Sequence, residues 1–172
     1  MSYTPSPSED PVRDSLPNPA PGERLLIEAM RRWASHRMAG VRPHHAVRCL
    51  MSWKASNRAA ALFTAWMEEV EASRSRPIHM QCAQCGGLSE DEQRLVVSVG
   101  VAPLNLTLAE KVTSPLLHEP GRLAVLSRAL NAALTASDMR VPARICAGAL
   151  DAAARQPVPR PANDHNIRPT LH

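Results

Sequence analysis

The chain has 172 residues, a formal net charge of +4 and only 3% aromatic residues. That length fits one domain, and a core drawn from Ala, Leu, Val and Met favours helices over sheet. No run approaches the ~18 consecutive apolar residues of a membrane-spanning helix, and the Pro/Ser-rich, slightly acidic start lacks a charged-then-apolar signal segment.

A cytoplasmic location is therefore the expectation. The four cysteines, Cys49, Cys82, Cys85 and Cys146, are then expected to be reduced or metal-bound and not paired as structural disulfides. Charge is unevenly spread. Residues 24–76 carry a balance of +6 and residues 77–154 a balance of −1. Arg outnumbers Lys eighteen to two, which favours planar contacts to phosphate or carboxylate, although a compositional bias of the genome gives the same count.

Residues 1–22 hold six prolines and no apolar run able to offset the entropy of ordering, so they are expected to be a disordered tail. Pro5-Ser6-Pro7 and Pro17-Asn18-Pro19-Ala20-Pro21 suit extended polyproline conformation or a plain linker. A first helix is predicted over 23–38, with Leu26, Ala29, Met30 and Trp33 on its apolar stripe, Arg31 and Arg32 off it, and Gly40 as its stop. A second, over 43–54, opens on Pro43 and buries Val47, Leu50 and Met51. A third, over 57–73, carries Ala59, Leu62, Phe63, Trp66, Met67 and Val70. Trp33, Trp53, Trp66 and Phe63 fall on these three successive helices and are expected to share the core. Cys49 and Cys146, among apolar positions, are expected to be core residues too.

A non-helical stretch follows Pro77. Gly86-Gly87 mark a turn, and Ser89 with Glu92 forms a capping box that opens a fourth helix over 90–101. The run Val96-Val97-Ser98-Val99 has strand character, but the cap argues for helix. Glu90-Asp91-Glu92 are expected to be exposed charges at that helix start, as are Glu68, Glu69 and Glu71 on the third helix. Thr107 and Glu110 repeat the capping-box spacing and predict a short fifth helix ending before Pro115. A sixth runs over 120–135 with Leu123, Leu126, Leu130, Ala133 and Leu134 inward. A seventh is expected over 142–154, and a second disordered tail over 155–172. The sum is an all-α, single-domain bundle of five to seven short helices within 23–154, sequential neighbours packing mostly antiparallel.

Chemistry concentrates in His79-Met80-Gln81-Cys82-Ala83-Gln84-Cys85-Gly86-Gly87. Two cysteines at this spacing can close one side of a zinc site, and His79 would add a third ligand. The fourth would come from His118, Cys49, Cys146, His44, His45, water or another subunit. The same pair can instead cycle between dithiol and disulfide, although Gly86, Gly87 and Leu88 separate it from the helix start that would acidify a thiol. A third reading makes both cysteines ordinary residues of a connection. Arg24, Arg31 and Arg32 fall roughly along one stripe of the first helix and are the candidate contacts to nucleic acid. No Gly-x-Ser-x-Gly, Gly-rich phosphate loop or His-Glu-x-x-His is present, and no catalytic role is expected. The expectation is a cytoplasmic regulatory or adaptor protein that binds a protein partner, with a structural zinc knuckle at His79, Cys82 and Cys85. The alternatives are a metal-dependent nucleic-acid binder and a thiol–disulfide redox protein.

Overall fold

The computed structural model describes residues 18–144. Six helices follow in order: α1 Pro21–Met38, α2 His44–Lys54, α3 Asn57–Ser73, α4 Glu90–Val101, α5 Leu106–Thr113 and α6 Pro120–Thr135. The described residues contain no strand; an isolated antiparallel bridge between Arg74 and Leu117 ties the end of α3 to the α5–α6 connection. The fold is all-α, as the residue pattern predicts. The expected tails, apart from Asn18 to Gly22, lie outside the described residues, as does the expected seventh helix except for 142–144, which are not helical.

Helix starts follow local chemistry. Pro21 occupies the first turn of α1, where its missing N–H costs nothing, so the helix begins two residues earlier than periodicity alone indicates. Ser56 and Ser89 cap α3 and α4 through their hydroxyls. The cap of α5 is Asn105, whose side chain accepts from Leu108 N at 3.0 Å, and not Thr107. Asx side chains compete well for that role, and Asn105, two residues before Thr107, caps the Leu108 N–H and starts the helix sooner. Gly40 takes φ +69° just past the end of α1, a left-handed position that favours glycine.

Helices α1, α2 and α3 pack in sequence, α3 lies against α6, and α4 is held between α5, α6 and α1. Trp33, Phe63 and Trp66 pack together in the main core, Trp33 edge-on to Phe63 and Phe63 tilted against Trp66, with ring centroids 6.4 and 5.9 Å apart. A smaller cluster of Val97, Val101, Ala102, Ala109, Val112 and Ala124 fills the far side of α4. Residues 95–101 are therefore buried on every side, which accounts for a β-branched run inside a helix.

Two core expectations fail on α2. Trp53 is 82% exposed and Cys49 is exposed. Val47, Leu50 and Met51 hold the inward stripe, and Trp53, two residues past Met51, lies about 200° round the helix from it. Cys146 lies outside the described residues.

Buried polar groups are answered by partners. Trp66 Nε1 donates to Ser127 Oγ at 2.9 Å. Asn131 donates to the carbonyls of Val99 and Val141 at 2.9 and 3.0 Å, clasping the chain after α6 onto α4. That crossing leaves no room for a side chain at Gly100, where a Cβ would overlap the backbone carbonyl of Pro142.

Candidate functional site

The connection from α3 to α4 is fixed at close intervals. Asp91, in the first turn of α4, accepts two hydrogen bonds from Arg76, at 2.8 and 2.6 Å, and one from His79 N at 2.8 Å. Burial pushes the Asp91 pKa up, but the Arg76 guanidinium and the His79 amide outweigh it and hold the carboxyl below its ordinary value. Ser89 Oγ donates to His79 O at 2.6 Å and accepts from Glu92 N at 3.1 Å. Ile78 and Met80 pack against the main core.

The centre of the arrangement is an ion pair. Arg31 is 8% exposed and Glu92 0%. Arg31 Nε and Nη2 donate to the two Glu92 oxygens at 2.7 and 3.0 Å. The same guanidinium donates to Cys85 O at 2.9 Å and Gly87 O at 2.6 Å. Glu92 also accepts from Ser89 N at 2.9 Å and Gln81 N at 3.1 Å. Every lone-pair direction of a buried carboxylate is thus used, the condition under which a buried pair is tolerated. The result is a clamp: α1 holds the cysteine loop onto α4 by one arginine.

Beyond the clamp the loop tip is exposed. Cys82 and Cys85 are joined as a disulfide, with Cys85 N donating to Cys82 O at 3.1 Å. The expectation of reduced or metal-bound cysteines differs from this arrangement; the tight turn places the two sulfurs side by side. Gly87 takes φ +80° to turn the chain back toward α4.

The side chain of His79 is not gathered with the two sulfurs. Among the described residues no three His, Cys, Asp or Glu side chains converge on one ion position. Both backbone polar groups of His79 are engaged, by Asp91 and Ser89, which fixes that part of the chain against α4. Of the suggested fourth ligands, His44 pairs with Glu68 at 3.0 Å and Cys49 lies 3.8 Å from His45, both on α2.

Four of the six site residues picked out in the sequence meet at one place. A groove of about 690 Å³ runs between α1 and the cysteine loop. Arg24, Arg31 and Arg32 line its α1 wall together with Ile27 and Glu28; Cys85, Gly87 and Leu88 line the other. Arg24 is exposed, with no ion pair among the described residues. Arg32 reaches only Glu28, at 3.5 Å, while Glu28 is held closer by Lys54 at 2.7 Å. Arg31 is not a solvated surface charge: four of its five guanidinium N–H groups are taken by Glu92 and the Cys85 and Gly87 carbonyls, so it holds the loop in place.

Asp91 and Glu92 are correspondingly not exposed charges. The capping box marked Glu92 as a residue that folds back over its own helix start, but its burial depends on α1, which lies far away in sequence. A second ion-pair cluster has the same character. Trp33 Nε1 donates to Glu71 at 2.8 Å, and Arg37 makes a two-point contact with the same carboxylate at 2.9 and 2.6 Å. Burial raises the Glu71 pKa, and these donors more than reverse it, leaving it lowered.

No family model matches the chain, and neither a curated protein nor a solved structure matches it.

Proposed function

We propose that this protein is a binding module with an adaptor or regulatory role, and that its ligand is a segment of a partner protein carrying acidic residues next to an apolar one. The observation that supports this reading is the groove. Ile27 and Leu88 supply an apolar lining, and Arg24 and Arg32 supply positive charge with little carboxylate to neutralise it. The volume is in the range of pockets that enclose a few side chains of a ligand. The clamp behind it ties the two walls together through four Arg31 hydrogen bonds, which lowers the ordering entropy lost when the groove is filled.

The test is selection of a displayed random-peptide library against the full chain. Enrichment of acidic–apolar peptides is expected. Arg24→Glu with Arg32→Glu, both at exposed positions, should abolish their binding without loss of helical circular dichroism. Peptides that carry no acidic bias, or that bind the double variant equally, would refute the reading.

A second reading rests on a separate observation: Cys85 lines this groove and both cysteines are exposed. In that reading a partner dithiol reduces the Cys82–Cys85 disulfide and is itself oxidised. Stoichiometric oxidation of a test dithiol that persists in Cys82→Ser would remove it. Zinc held by the reduced thiols with His79 is the competing fate of the same residues. Elemental analysis of protein purified under reducing conditions without chelator separates the two; stoichiometric zinc would favour the knuckle.

A further inference from the structure

From Ala29 to Met67 the chain contains no Asp or Glu, yet it carries six Arg and one Lys. This stretch covers most of α1, all of α2 and the first half of α3. Three of its arginines face away from any carboxylate: Arg42, Arg48 and Arg58 are exposed, and none makes an ion pair or side-chain hydrogen bond among the described residues. Arg48 stands in mid-α2, with Arg42 just before that helix and Arg58 in the first turn of α3.

Between Arg48 and Arg58 along the chain, near the end of α2, stands Trp53, 82% exposed. His45, Arg48, Cys49, Ser52 and Trp53 recur at helical spacings of three and four, so they form one outward stripe about two turns long. Four of them, all but Trp53, line a shallow depression of about 390 Å³ together with His44. The opposite stripe, Val47, Leu50 and Met51, is committed to the core. The exposed indole is therefore not a misplaced core residue; it is held in water by a helix whose apolar face is already used.

We infer that the outward face of α2 binds single-stranded nucleic acid, with Trp53 stacking on a base and Arg48, flanked by Arg42 and Arg58, contacting phosphates. The one carboxylate that reaches this depression, Glu68, is engaged by His44 at 3.0 Å at its edge, and a surface on which unpaired arginines outnumber it attracts a polyanion. An indole open on its face supplies the stacking platform that single-stranded sites use. An acidic amphipathic helix fits less well. It needs several apolar anchors, and around Trp53 this stripe offers only polar or small side chains. Duplex DNA fits less well too, since its bases are not free to stack on an external ring. None of these residues lines the α1 groove, so the inference stands or falls apart from the peptide reading.

The test is titration of the full chain with a labelled homopolymeric oligonucleotide of about 16 nucleotides, the upper end of the usual single-stranded site. Trp33 and Trp66 are fully buried, so quenching of tryptophan fluorescence on binding reports Trp53. With three phosphate contacts, the logarithm of the affinity should fall with the logarithm of salt at a slope of about −2. Trp53→Leu should weaken binding roughly 5- to 100-fold and leave the slope unchanged. Arg48→Ala should reduce the slope by about 0.7. Both substitutions are at exposed positions, and unchanged helical circular dichroism confirms that the variants fold. The inference is overturned by absence of binding at low salt, by binding indifferent to Trp53→Leu, or by equal or tighter binding of a duplex of the same length. Equal affinity for polyglutamate overturns it too and marks the face as one for acidic proteins.

Discussion

Replacing Arg31 by Met tests the clamp directly. Methionine keeps the length and apolar stem of the side chain but removes four hydrogen bonds, two to Glu92 and one each to the carbonyls of Cys85 and Gly87. The carbonyls belong to exposed residues and can turn to water. Glu92 cannot, because it is wholly buried, and Ser89 N and Gln81 N are its remaining donors. Removing one partner of a buried pair costs about 3–5 kcal/mol, mostly the penalty of the stranded charge. Against a typical stability of about 5–15 kcal/mol that is about a fifth of the total at the least and nearly all of it at the most. The midpoint of urea unfolding, followed by helical circular dichroism, should fall accordingly with little change in its slope. Arg31→Met combined with Glu92→Leu should lose less than the sum of the two single variants, since the charge is no longer stranded. A loss below about 1 kcal/mol in Arg31→Met, or strict additivity in the pair, would refute the buried clamp.

Other outcomes follow from single positions. Gly100→Ala should destabilise by about 1–3 kcal/mol through its collision with the Pro142 carbonyl, although helix propensity alone predicts a gain of about 1 kcal/mol; the sign of the urea shift decides. Gly22→Ala should have the same sign, because a Cβ there overlaps the Met139 carbonyl. Gly87→Ala meets no neighbouring atom, so its cost of about 1–2 kcal/mol comes from the left-handed backbone alone. Asp91 and Glu71 both have lowered pKa values in the folded state. Their contribution is therefore fully present above the ordinary carboxylate range and is lost as pH falls from about 4 through the lowered values. Asp91→Asn should flatten the acid limb of a plot of urea midpoint against pH; an unchanged limb would show that the Arg76 contact contributes nothing.

The helices themselves were legible along the chain because their signals are local. Periodicity of Leu26, Met30 and Trp33, or of Phe63, Trp66 and Val70, reports the face a helix must bury, and Ser89 and Pro120 report where α4 and α6 begin. The same arithmetic places Trp53 and Cys49 about 200° from Met51, outside the core, although their residue types favour burial. The cysteine turn was also visible, since Cys82 and Cys85 need only each other and a following glycine.

What one-dimensional order cannot carry is which distant segment lies against a given face. Arg31 and Glu92 are 61 positions apart, and alone each reads as an exposed helix charge. Only the approach of α1 to α4 removes water from both and turns them into the fastening of the cysteine loop. Gly100 looks like a weak point in a helix until the chain after α6 is laid across it. Desolvation and steric exclusion depend on the whole arrangement, so the groove, its clamp and the glycines that admit crossing backbone were decided by tertiary structure. The helices, their caps and their inward stripes were decided by sequence.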